Sequence, residues 1–312
     1  MNKNSVLIGV VFGVVFCIIS AAFDVFVANI TQRLNPAVFI VYCFILSMAF
    51  FITLSVVKNR QGYLQKVKTS IPLLLWVNVA VLLNWGGLII SLKYLEPAVV
   101  GIASVACGPA LTIIISRYFI TGASTPTKLE SVVAWAVMAG VIAMLLNSYL
   151  GKSGVTNTTH LERTIGIICV ISSAIGTVLY TFFSKDLSQK RWKSYEILGF
   201  RNVLMLFSAL VYCSVSQISL WPGTDLFMIV LALSVIGHII PIFLIQSSIS
   251  VLDPIHVSLL LLLLPVFTLA FQFIDQRIFI SWESITAVVG ILILLVVLGA
   301  SKFQMGNKQE AK

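Results

Sequence analysis

Glu96-Pro97-Ala-Val-Val-Gly-Ile-Ala-Ser-Val-Ala-Cys-Gly-Pro109 opens an apolar run that reaches Ser116. The run is long enough to cross a bilayer, yet Gly108-Pro109 interrupts it near its middle, where proline deletes a helix hydrogen bond. The acid–proline step that opens it returns as Leu252-Asp253-Pro254, followed by a second apolar run broken at Pro265. Leu95, Glu96 and Pro97 match Leu252, Asp253 and Pro254 at a constant offset of 157, and the second proline comes one residue sooner in the later copy. Two interrupted segments in corresponding places point to a carrier built from internal repeats, with its binding site at the repeat interface.

The composition names the solvent. Of 312 residues, 59% are hydrophobic and 10% charged, and the mean hydropathy is +1.05. A soluble domain is ~25% charged. Only lipid can cover this much apolar surface, so the chain reads as an all-α integral membrane protein. Its five cysteines (Cys17, Cys43, Cys107, Cys169, Cys213) all fall inside apolar runs without metal-ligand spacing. They read as core residues, and neither metal nor cofactor is expected. The net charge of +9 reads as basic cytoplasmic loops rather than nucleic-acid contact. The first apolar run passes beyond Ser20-Ala21-Ala22 through Val25-Phe26-Val27. A signal peptide stops at ~7–15 apolar residues, so a retained first helix is expected.

A span needs ~20 mostly apolar residues. Ten such runs lie at 5–27, 37–57, 71–92, 96–117, 129–149, 164–184, 195–216, 224–248, 254–275 and 282–301. The longest polar gap, Gly151 to Arg163, parts them five and five. With the N-terminus inside, inner segments hold 14 of the 20 Lys and Arg and outer segments five, the last being Arg201 inside the seventh run. The positive-inside rule then puts both termini in the cytoplasm. Five is odd, so the second half enters the membrane inverted. Cys17-Ile-Ile-Ser-Ala-Ala also lies on Cys169-Val-Ile-Ser-Ser-Ala at an offset of 152. The expected organisation is a five-helix repeat at 1–150, an extracytoplasmic linker at 151–163, an inverted repeat at 164–301 and a cytoplasmic tail at 302–312.

Ionisable groups inside the bilayer carry the functional reading, because each costs about 2.5–3.5 kcal/mol at a helix centre. Asp24 either binds a cationic substrate group or carries a coupling proton, or else is an interfacial acid set against water or Arg33. His238 shares a face with Ser234 and Pro241 and is read as facing a cavity, with bonding to a neighbouring helix as the alternative. Arg201 reads as a structural or snorkelling cation. In the third run Asn78 and Trp85 are seven apart and share a face, while Asn84 points elsewhere. An amide and an indole on one stripe suit a small organic solute, although helix–helix hydrogen bonding explains them as well. The candidate substrate-binding residues are therefore Asp24, Asn78, Trp85 and His238. Pro109 and Pro265 are the candidate hinges. Gly9 and Gly13 form a close-packing face on the first helix.

An enzyme finds little support. There is no His-Glu-x-x-His and no phosphate-binding Gly-x-x-x-x-Gly-Lys-Ser/Thr, and Gly122-Ala123-Ser124 lacks the closing glycine of an intramembrane serine protease.

Leu92-Lys-Tyr-Leu-Glu-Pro-Ala leading to Pro109 resembles the third-to-fourth helix junction of the drug/metabolite transporter superfamily, EamA family. Ser250-Val-Leu-Asp-Pro-Ile leading to Pro265 is similar to its eighth-to-ninth counterpart, and Ser172 through Lys185 to its sixth helix. Two departures stand out. Thr121-Gly122-Ala123 and Asp275-Gln276 replace the family's Gly-Glu steps, and Tyr42 stands where a second-helix arginine is common. The resemblance implies a ten-helix carrier of the bacterial cell inner membrane with a cavity lined by helices one, three, four, six, eight and nine. An amino acid or amine-bearing metabolite is the expected small-molecule substrate. Amphipathic drug export is the alternative, and an intramembrane enzyme a more distant one.

Overall fold

The computed structural model describes residues 3–310 except 107, 109, 114–127, 156, 253–255, 258, 259, 276, 277 and 280. Pro109, Asp253, Pro254 and the 121–124 loop, singled out above, lie outside the described residues.

The described residues are helical throughout, without a strand. The elements are α1 (Lys3–Ile30), α2 (Pro36–Thr69), α3 (Ile71–Tyr94), α4 (Pro97–Gly101, continuing through a π-helical Ile102–Ala106), α5 (Lys128–Tyr149) and α6 (His160–Gln189). After them come α7 (Ser194–Val215), α8 (Thr224–Val251), α9 (Leu263–Phe271, then a 3₁₀ turn Gln272–Ile274) and α10 (Trp282–Glu310). Seven of these helices are long and apolar enough to cross a membrane, which makes the chain a multi-pass membrane protein. The helical pieces at α4, α9 and the start of α10 are shorter but also apolar.

Local chemistry starts the helices where the polar gaps fall. Asn35 caps α2 by accepting from the Ala37 N–H, with Pro36 preset in the first turn. Thr159 and Glu162 form a capping box at α6. Two helices outrun their apolar spans. Past an extended residue at Asn59, α2 continues into a basic segment carrying Arg60, Lys66 and Lys68, and α10 continues beyond 301. Burial in lipid ends at a helix's apolar run, whereas backbone hydrogen bonding does not.

Two helices are locally under-wound, with a π-helical Leu82–Gly86 inside α3 and Leu233–Ile239 inside α8. Helix α7 breaks at Arg201-Asn202, between Ser194–Phe200 and Val203–Val215. Asn78 spans that break, donating to the Phe200 carbonyl (3.0 Å) and accepting from the Leu204 N–H (3.0 Å).

Close approach fixes how α3 meets α6. A Cβ on Gly176 would lie 2.4 Å from the Asn84 nitrogen, and one on Gly87 2.3 Å from the Cys169 carbonyl oxygen, so only glycine lets these backbones touch. Gly9 and Gly13 seat α1 against the side chains of Val251, Leu252 and Leu260.

Glu96 is not spent on capping α4. It is 1% exposed. One carboxylate oxygen accepts from the Gly154 N–H and the Ser284 hydroxyl (2.8 Å each), and the other from Gln272 Nε2 (2.8 Å). Gln272 Oε1 in turn accepts from the Ala98 N–H (3.1 Å). One buried acid thus ties the start of α4 to the 150s segment, the end of α9 and the start of α10.

Candidate functional site

Three helices present short faces at helical spacing to one interior space. Phe16, Ser20, Phe23 and Asp24 come from α1, Thr177, Tyr180 and Thr181 from α6, and Ile242, Ile245 and Ile249 from α8. Asn84 and Trp85 enter from the π-helical part of α3 and Leu88 from just after it, Arg201 from the break in α7, Val105 from α4, and Leu261 and Leu264 from the region of α9. The space in which a water molecule's centre can lie is about 70 Å³. One water needs ~10–15 Å³ on that measure, so the cavity holds a few waters or a small solute. Both halves of the chain contribute walls. A wider space of about 400 Å³ lies between α2, α3, α6 and α7, lined by residues such as Ile40, Ile90, Met205 and Tyr212.

The narrow cavity brings charged side chains into a mostly apolar lining. Asp24 is 3% exposed, and among the described residues no donor reaches its carboxyl group. Arg201 is 1% exposed, and its Nε and Nη2 have no acceptor. Its guanidinium lies 4.7 Å from the centre of the Tyr180 ring. That contact offsets ~2 kcal/mol of a desolvation cost of several kcal/mol per ion. Tyr180 donates its hydroxyl to Gln246 Oε1, whose own Nε2 finds no partner. Asn84 Oδ1 accepts from Ser173 (3.3 Å) and Thr177 (3.1 Å). An acidic and a basic group therefore face one cavity without forming an ion pair with each other.

The structure separates the four expected substrate-binding residues. Asp24 and Trp85 line the cavity. Asn78 does not: besides the two bonds that hold the break in α7, its amide donates to the Leu74 carbonyl (2.8 Å), so its polar atoms are committed to helix packing. His238 is fully buried behind the wall, with ring centroids 4.5 Å from Trp85, 4.7 Å from Phe44 and 6.5 Å from Phe23. Neither of its ring nitrogens has a hydrogen-bond partner.

Asn84 faces the cavity beside Trp85, contrary to the regular-helix expectation. A π-turn takes an extra residue per turn, so positions either side of Leu82–Gly86 lose the register that 3.6 residues per turn would give them. Of the two readings of Arg201, snorkelling fails: a snorkelling arginine keeps its head in water, whereas this one is buried at a break in its helix. Of the two expected hinges, Pro265 sits in the first turn of α9 and packs on Gly101 of α4, where a Cβ would lie 3.7 Å from it. The interrupted segments of the two halves meet there.

Residues 164–301 match the family model for the EamA-like transporter family. That stretch supplies α6 to α9 and most of α10, hence the Tyr180, Arg201 and Ile242–Ile249 walls of the cavity. No curated protein matches the chain. A solved structure described only as "Crystal structure of protein" aligns over 96% of this chain and 96% of its own, with a TM-score of 0.64 at 17% identity. At that identity the likeness is one of fold alone. The second half of the chain is transporter-like by family, and the whole chain shares its fold with a known structure.

Proposed function

We propose that this protein is a secondary active carrier that moves a small organic metabolite, an amino acid or amine-bearing compound, across the bacterial inner membrane by alternating access. The observation that carries the proposal is the narrow cavity walled by both halves, holding Asp24 and Arg201 unpaired. A buried group of either sign inside a membrane protein is retained at a cost and faces a pathway or a partner. The chain has ten spans, as two inverted five-helix repeats at 1–150 and 164–301 joined by an extracytoplasmic linker. The π-helical segments in both α3 and α8 support the repeat, as does the contact between α4 and α9 at Gly101 and Pro265. Pro109 and Pro265 act as hinges about which the halves rock. Both termini are cytoplasmic. The family match over the second half supports a carrier rather than an enzyme.

Purified protein in sealed vesicles tests this directly. It is expected to exchange labelled amino acids or amines across the membrane without ATP and without altering them. Asp24→Asn then separates two roles for the acid: lost binding marks a substrate ligand, and lost accumulation with exchange retained marks the proton-coupling site. Vesicles that exchange no amino acid, amine or amphiphile sink the carrier assignment. Export of amphipathic compounds is a second reading, favoured by the wider apolar space beside α2 and α7. Exchange confined to amphiphiles would select it.

A further inference from the structure

Arg201 is held too deliberately to be a leftover charge. Its helix is broken at Arg201-Asn202, and the break is braced from both sides. Asn78 bonds Phe200 and Leu204 across it, and Asn202 Nδ2 donates to Ser47 of α2 (3.2 Å). The braced backbone delivers a guanidinium that is 1% exposed into the cavity wall. Tyr180 covers its face, and the Tyr180 hydroxyl is turned away to Gln246. What remains is the N–H edge, with Nε and Nη2 unbonded. A planar N–H edge is the fork that takes a carboxylate through two parallel hydrogen bonds.

Asp24 supplies the complementary end. It lies on α1, in the first half, whereas Arg201 lies on α7, in the second. Most of the cavity lining is apolar or aromatic, Phe16, Phe23, Leu88 and Ile245 included. Besides Tyr180, the neutral polar groups on the lining are Ser20, Asn84, Thr177 and Thr181; Thr177 donates to Asn84 Oδ1 and Thr181 to the Thr177 carbonyl.

Resting on the carrier reading above, we infer that this cavity is a two-headed site for a zwitterion: Arg201 takes a carboxylate, Asp24 takes an ammonium group, and the apolar walls take an uncharged side chain. A ligand with both heads neutralises both buried groups and ties the two halves together. A simple amine leaves Arg201 without an anion, and a simple acid leaves Asp24 without a cation. The ligand chemistry is shared by α-amino acids and by ω-amino acids, which differ in the span between heads.

Binding to purified protein separates these cases. The probes are leucine, isoleucine, valine, methionine and phenylalanine as α-zwitterions, and 6-aminohexanoate as an ω-zwitterion. Isoamylamine and 4-methylpentanoate are leucine stripped of one head each. At least one zwitterion is expected to bind wild-type protein about tenfold or more tightly than either one-headed probe, the share of one charged hydrogen bond. Arg201→Gln is expected to bring that zwitterion down to the amine's affinity while leaving the amine unchanged. Asp24→Asn is expected to do the converse for the acid, and Arg201→Lys to restore part of the loss. An amine that binds as tightly as every zwitterion, and ignores Arg201→Gln, overturns the two-headed site but leaves a carrier of amines. Failure of all six zwitterions to bind overturns it too, whatever else the vesicles exchange. Vesicles that exchange no solute of any kind overturn the carrier reading instead. Should the variants fail to fold, the ranking of the probes on wild-type protein decides alone.

Discussion

Replacing Glu96 with Gln keeps the shape of the side chain and tests whether its surroundings demand two acceptor oxygens. The Ala98 N–H fixes Gln272 with its oxygen toward α4, so Gln272 must present its NH₂ to Glu96. The Gly154 N–H, a backbone donor that cannot turn round, claims the other oxygen together with Ser284. A glutamine at 96 offers one oxygen. If that oxygen serves Gly154 and Ser284, two NH₂ groups confront each other at Gln272. A hydrogen bond to a charged group is worth about 1.5–3 kcal/mol, and leaving buried donors unmet costs ~1–3 kcal/mol. With relaxation, Glu96→Gln should destabilise the protein by about 2–3 kcal/mol. The same geometry supplies the rescue. In the double variant Glu96→Gln with Gln272→Glu, the acid at 272 accepts from the Ala98 N–H and from the new amide, whose oxygen serves Gly154 and Ser284. The double variant should recover to within ~1 kcal/mol of wild type, a coupling of about 2 kcal/mol. Unfolding in mixed micelles titrated with a denaturing detergent reads all four proteins. An unchanged single variant, or a double variant as weak as the sum of its singles, would refute the polarised network.

Three further outcomes are expected. Gly176→Ala places a methyl group 2.4 Å from the Asn84 nitrogen and 2.7 Å from the Ala80 oxygen, so α3 must back away from α6. It should cost ~1–3 kcal/mol in the same unfolding assay and depress solute exchange, while Gly290→Ala, with nothing near it, should do neither. Pro265→Ala falls in the first turn of α9, where a missing N–H costs little, so stability should hold within ~1 kcal/mol while exchange slows more than binding weakens. Equal exchange rates would reduce the proline to a packing residue. A cysteine at exposed Lys152, on a cysteine-free background, should react with an impermeant thiol reagent added from outside the cell. Ser153 is buried and unsuited to that experiment, and labelling of Lys152→Cys only from the cytoplasm would sink the inverted arrangement.

The helical, membrane-embedded class was legible from composition and run length, because lipid obliges backbone groups to bond internally and unbroken apolar runs of ~20 residues fit spanning helices rather than barrel strands. The acid–proline start at Glu96-Pro97 was legible for a local reason, since proline presets the first turn of a helix. Asp24 and Trp85 could be picked out because a polar or amphipathic side chain is conspicuous in an apolar stretch. Beyond single residues, register failed first. The π-helical Leu82–Gly86 exchanged the roles of Asn78 and Asn84, and nothing within five residues of α3 announces it. Depth failed next. Arg201 and His238 are both buried, but whether a buried group meets a cavity or a wall of rings depends on α1, α2 and α3 closing around it. The acid–proline step shows both limits at once. Sequence alone placed Glu96 at a helix start and paired it with a second step 157 residues on. Only tertiary structure decided that its carboxylate binds Gly154, Gln272 and Ser284, because hydrogen bonds between residues far apart in the chain are set by how the helices pack and leave no mark on local pattern.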